Sequence, residues 1–197
     1  MSEAPSTTAA ADTSPTRWTR THILLHWLAV GLIALQFLTG ESMSAAFQAD
    51  LQAADGDAGA VPSFLAPLHM AIGLTVFLAV AARLRDRFAN GRPPHPSGEP
   101  LWAQRLAAVT QTLLYATVLA MPLAGAVAWF GDVGTLGSLH ALASKLLLAL
   151  LVLHVGGALA NHYWFRTDVL RKMLPAQARP EAPSPGVDTG TGGGTAR

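Results

Sequence analysis

Four long apolar runs, at residues 21–40, 61–82, 106–131 and 137–165, alternate along the chain with polar connections that hold nearly all of its charge. A bilayer core of ~30 Å is crossed by about 20 consecutive apolar residues in a helix. Each run meets that length, so the pattern predicts four transmembrane helices, spanning about residues 21–40, 64–84, 105–130 and 138–164. The first three runs contain no Asp, Glu, Lys or Arg, and the fourth contains only Lys145. Because a spanning segment must satisfy its own backbone polar groups, the expected fold is all-α, an integral membrane four-helix bundle. Pro122 lies inside the third run and is expected to kink that helix.

The segments between the runs set the orientation. Arg17 and Arg20 precede the first span, Arg83, Arg85, Arg87, Arg92 and Arg105 flank the connection between the second and third, and Arg166, Arg171, Lys172 and Arg179 follow the fourth. The opposite side carries Glu41, Asp50, Asp55, Asp57 and Asp132, with no Lys or Arg. Basic flanks stay in the cytoplasm, so both termini are expected there. Residues 1–16 and 176–197, poor in large apolar side chains, are expected to be disordered tails around a membrane domain of residues 17–175. The first sixteen residues lack a basic segment followed by a short apolar one, so the first span is expected to be retained rather than cleaved.

Composition narrows the chemistry. With 51% hydrophobic and 13% charged residues, the chain departs from an ordinary soluble domain. The absence of cysteine excludes disulfides, thiolate-held iron–sulfur clusters and haem attached through C-x-x-C-H. A net charge of +1 carries no signal for nucleic acid, because the basic residues are distributed by topology rather than gathered in a patch; no nucleic-acid partner is expected, and the apolar spans make membrane lipid the expected one.

Histidine carries the remaining signal. His140 and His154 are fourteen residues apart in the fourth run. On one helix they lie about 40° apart around the axis and about 21 Å apart along it, one near each membrane face. Given the topology, His26 lies at the depth of His154 and His69 at that of His140. Two layers follow: His26 with His154 on the cytoplasmic side, His69 with His140 on the other. Ionisable groups in hydrocarbon are costly and are usually functional or paired. Each of the four can instead be satisfied by a hydrogen bond to a neighbouring helix. Two bis-histidine haem sites account for the count, the matched depths and the missing cysteine together. Gly73, Gly156 and Gly157 lie near these histidines, although small residues are common at any transmembrane interface.

RWTRTHILLHWL at the first helix, LHMAIG at the second and SLHALASKLLLALLVLHVGGALANHYWFRTDVLRKMLP at the fourth resemble the bacterial cytochrome b561 family, four-helix inner-membrane di-haem b proteins. The resemblance covers about residues 17–175. It implies His26 and His154 as ligands of a cytoplasmic-side haem, His69 and His140 as ligands of a periplasmic-side haem, two haem b in all, and exchange of electrons with ubiquinone.

Further candidates cluster at the ends. His22, one turn before His26, and Arg17 and Arg20 are candidate haem propionate partners, with interfacial and topology-setting roles as the alternative. Asn161 and His162, beside Tyr163 and Trp164, are candidates to bond a quinone carbonyl or relay a proton, the alternative being an ordinary aromatic belt. Lys145 lies about 8 Å along the helix from His140 and about 140° around it, a candidate neighbour of the outer haem.

The expected function is electron transfer between the quinone pool and a periplasmic or membrane redox partner. Some family members oxidise superoxide with ubiquinone as acceptor. Capture of an anion benefits from a positive funnel, and the outer loops here are acidic, so that reading ranks lower. A haem subunit of a larger oxidoreductase shares the same chemistry. A histidine-based metal-ion transporter would need carboxylates inside the membrane, and the apolar runs have none. Oligomeric state is left open by the sequence.

Overall fold

The computed structural model describes residues 17–54, 64–96 and 98–175. The tails expected at 1–16 and 176–197 lie outside the described residues, as do Asp55 and Asp57 of the first connection. The chain folds as α1 (Arg20–Ala54), α2 (Leu65–Asn90), α3 (Leu101–Phe130), α4 (Gly134–Tyr163) and a short α5 (Val169–Lys172). The first four are long and apolar enough to cross a membrane.

The helices run further than the apolar stretches alone. α1 continues fourteen residues past Gly40, through Glu41, to Ala54, where hydropathy suggests a polar connection. That extension, ESMSAAFQADLQAA, has no Gly or Pro and is rich in good helix formers, so nothing in it ends the backbone ladder. α2 likewise continues through Arg83 and Asp86 to Asn90. Hydropathy marks the thickness of the lipid, whereas helix ends are set by breakers and caps. Two carboxylates, Glu41 and Asp86, therefore stand on spanning helices near their ends. α3 remains one helix through Pro122.

Large apolar side chains point outward as well as inward: Leu38 is 77% exposed, Leu142 62% and Val152 67%. In water such a surface would be a liability, but a bilayer is its natural solvent. Phe88, Trp102, Tyr163 and Trp164 lie exposed at one end and Phe64 and Phe130 at the other, as expected of rings at the two interfaces. The interior is narrow. Ala29, Val76, Val80, Val118 and Leu147 form a buried cluster drawn from all four long helices. Leu147 is midway between His140 and His154, so this apolar plug separates the two ends of the bundle.

α1 packs chiefly on α2, and α3 on α4, with α2 and α3 joining the two hairpins. α4 scarcely approaches α1 or α2 backbone to backbone. At the outer end Phe47 of the α1 extension crosses this gap: it is buried, its ring lies 5.9 Å from that of Trp129, and it occupies the space a side chain at Gly137 would need.

Candidate functional site

The four histidines meet in two pairs across the gap. His69 of α2 and His140 of α4 have ring centres 6.3 Å apart with planes at 68°. His26 of α1 and His154 of α4 repeat the same separation and angle, 6.3 Å and 68°. A metal-bound imidazole nitrogen lies ~2.0–2.1 Å from the metal, with its ring centre about 1.1 Å further back, so two imidazoles facing each other across one iron have centres about 6.4 Å apart. Both pairs match that spacing. They also bridge the helix pairs whose backbones stand apart, which is where a flat macrocycle has room.

The outer pair is anchored from behind. His69 Nδ1 donates to the Thr39 hydroxyl at 3.0 Å, and that hydroxyl in turn donates to the carbonyls of Leu35 and Gln36 at 3.1 and 3.3 Å. His140 Nδ1 donates to the Met121 carbonyl of α3 at 2.9 Å. With Nδ1 carrying the proton, Nε2 keeps its lone pair for a metal on both rings. Gly125 permits the second contact, since a Cβ there would lie 3.1 Å from His140 Nδ1.

The inner pair is held differently. Arg83 of α2 donates from Nη1 to His26 Nδ1 at 2.7 Å and from Nε to His22 Nε2 at 3.1 Å. A guanidinium has no acceptor, so His26 Nδ1 accepts in this contact and a neutral His26 carries its proton on Nε2, the reverse of the outer rings; Nε2 of this ring is open to a metal only once that proton has left it. His22 is fully buried, and its Nδ1 lies 3.2 Å from Asp86 Oδ2. Both of its nitrogens are thus engaged within the protein. Arg17 and Arg20 are exposed.

The exit of α4 forms a third polar group. Asn161 is buried, donating to Glu99 Oε1 at 3.0 Å and to the Gly157 carbonyl at 3.2 Å, while its Oδ1 accepts from Thr167 at 3.3 Å. Glu99, also buried, accepts in turn from His95 Nδ1 at 3.2 Å. This latch ties the connection between α2 and α3 to the end of α4. His162 differs: its Nδ1 is buried without a hydrogen-bond partner among the described residues, and its ring packs edge-on to Tyr163. Lys145 is exposed on α4, with no ion pair among the described residues. No three His, Cys, Asp or Glu side chains among the described residues converge to hold a metal ion. Gly73 faces the Gln36 amide at 2.9 Å from its missing Cβ, whereas Gly156 and Gly157 have open space there.

Hydropathy and histidine counting do not reveal Thr39, the Met121 carbonyl, Arg83 or Asp86. One of them leaves a trace in the spacing. Arg83 follows His69 by fourteen residues, the interval that separates His140 from His154. The register that puts one α4 histidine in each layer therefore puts a histidine and an arginine of α2 in the same two layers.

A four-helix membrane bundle with two facing histidine pairs, one toward each end, is the arrangement expected of a membrane cytochrome of the b type. The prokaryotic cytochrome b561 family model matches residues 17–176, and the chain belongs to that family. It is 30% identical over 157 residues, 80% of this chain and 94% of its relative, to a protein named cytochrome b562 from Cereibacter sphaeroides. It is accordingly a multi-pass, haem b-binding electron-transfer protein of the membrane.

Proposed function

We propose that this protein is a di-haem b cytochrome of the bacterial inner membrane that moves electrons between the quinone pool and a periplasmic or membrane redox partner. The observation that carries the reading is the pair of matched histidine–histidine separations, 6.3 Å at each end of one bundle. His69 and His140 hold the outer haem, and His26 and His154 the inner one, with both termini on the cytoplasmic side. Bound haem b supplies a reversible one-electron iron couple. The protein supplies everything else. Thr39 and Met121 fix the outer rings, and the plug of Ala29, Val76, Val80, Val118 and Leu147 keeps water out of the space between the layers.

The cytoplasmic exit of α4 is the site we assign to quinone. There Nδ1 of His162, buried and without a partner among the described residues, offers a hydrogen-bonding group to a quinone oxygen, and the Asn161–Glu99 latch fixes the helix end that carries it. At the outer end Glu41 and Asp132, with no Lys or Arg near them in the sequence, suit a cationic redox partner better than an anion such as superoxide.

A dithionite-reduced minus oxidised spectrum of the purified protein, with haem counted per chain, tests the reading. Sharp b-type bands and two haems per chain are expected. A colourless protein that haem does not reconstitute would sink it.

A further inference from the structure

The outer histidine pair spans the gap between the two helix hairpins, α1–α2 and α3–α4, and Phe47 closes that gap from outside. Phe47 is buried, although Ser44, Ala45 and Gln48 around it on the α1 extension are exposed. Its place follows from two helical registers. A Cβ on Gly40 would lie 4.0 Å from His69 Cε1, so that face of α1 looks onto the outer ligand of α2. Phe47 follows Gly40 by seven residues, about 10.5 Å further out and about 20° around the axis, and so stays on the same face. Its ring crosses to α4 and fills the place of a side chain at Gly137, where a Cβ would lie 2.6 Å from the ring's Cε1. Gly137 precedes His140 by three residues, about 4.5 Å outward and about 60° around the helix. Trp129, near the end of α3, flanks the ring with its own ring centre 5.9 Å away. One aromatic side chain thus lies over both outer histidines.

We propose that Phe47 is the roof of the outer haem site and a specificity-determining residue, which keeps small hydrophilic ions from reaching the outer haem along the gap between α1 and α4. The inference rests on the haem reading of the two histidine pairs. The first apolar run ends at Gly40, and Phe47 stands about 10.5 Å beyond it. The headgroup layer is only ~5–7 Å deep on each side, so water rather than lipid borders the gap at this level. An apolar cover there decides what reaches the site, because the hydrophobic shell around a metal centre controls solvent access. Gly137 lets the cover sit down on α4. A small anion meets the exposed carboxylates of Glu41 and Asp132 as well. A carrier protein is not held off in this way, since its electron crosses the ring while the carrier stays outside the gap.

The test uses the full-length holoprotein, reduced in advance, in membrane vesicles with the outer face exposed. Haem oxidation is followed with two impermeant ions of opposite charge, ferricyanide and pentaammine(pyridine)ruthenium(III). Confining approach to one patch typically takes about two decades or more off a diffusional rate, so opening the roof in Phe47→Ala should raise both rates roughly tenfold. Gly137→Ala, whose Cβ displaces the same ring from the other side, raises both by less. In vesicles of the opposite sidedness both variants keep the parental rates. Deuterium modulation of the oxidised haems' electron spin echo in heavy water is a second readout, and it grows for one haem of the two in Phe47→Ala. The inference is overturned if both variants keep the parental rates from the outer face, or if only one ion is speeded, which would make the effect electrostatic. It is overturned equally if the inner face responds alike, or if both variants lose the outer haem, which would make the ring part of the fold rather than a barrier. A parent protein without haem would remove the haem reading itself. Two haems in the parent, indifferent to Phe47 and Gly137, would remove only the inference.

Discussion

The outer and inner histidine pairs have the same spacing and ring angle, yet the protein treats them differently. Behind the outer rings stand a hydroxyl and a peptide carbonyl, both neutral and both accepting. Behind the inner ring of His26 stands a guanidinium that donates, itself held by a histidine and a carboxylate. The lesson is that one helical register can build two like sites while the residues behind them make the sites unlike. α4 contributes a histidine to each layer and so imposes the symmetry, and α2, with His69 outside and Arg83 inside, breaks it.

The largest expected effect tests whether the two layers are separate sites at all. His140→Ala should lower the haem content from two per chain to one and leave the inner haem's spectrum in place, and His154→Ala should do the reverse. Haem content by pyridine haemochrome, with reduced-minus-oxidised spectra, checks this. Loss of both haems from either single variant would mean that the layers fold as one unit, contrary to the plug of apolar residues between them.

Much of this symmetric part is legible in the sequence. The four spans, the basic and acidic ends and the matched depths of His26, His69, His140 and His154 follow from apolar run length, charge and a fourteen-residue interval. The asymmetric part is not legible there, for a physical reason. Thr39 and Met121 act through a short hydroxyl and a peptide carbonyl, groups that most helices offer at every turn, so only their position across a helix gap distinguishes them. His22 looks like a haem-edge or interfacial histidine from its one-turn offset to His26. Only the distances show that Asp86 and Arg83 use both of its nitrogens. The α1 extension is missed for another reason: hydropathy falls at Glu41, but helix propensity does not.

Next in size is the hydroxyl behind His69. Thr39→Val removes the Nδ1 acceptor while conserving shape, and loss of such a second partner weakens metal-site affinity by roughly 10- to 100-fold. Haem titration of the apoprotein should show that loss at the outer site only. An equal loss at the inner site would mean that Thr39 supports the bundle rather than one ring. Gly125→Ala probes the same ring from α3 with a smaller perturbation. The new Cβ would lie 3.1 Å from His140 Nδ1, so the ring must give by a few tenths of an ångström. Overpacking by one carbon costs about 1 kcal/mol, which at tenfold per 1.4 kcal/mol is roughly a fivefold weaker outer haem. A larger loss that reaches the inner haem would contradict the local account.

The smallest expected effect is at Lys145, and it bears on the comparison because Lys145 is a cation on the helix that carries His140. If its charge reached the outer iron, the outer layer would have its own counterpart to Arg83 and the two layers would differ less than their contacts suggest. The structure places the side chain on the exposed face of α4, with no ion pair among the described residues, whereas Arg83 bonds directly to His26. A long aliphatic stem lets an exposed lysine carry its charge toward the headgroups, where water and salt screen it. Lys145→Met should therefore leave both potentials and both spectra at the parent values, with turnover unchanged. A downward shift of the outer potential would show instead that Lys145 brings a cation within reach of the outer layer, as Arg83 stands within reach of His26.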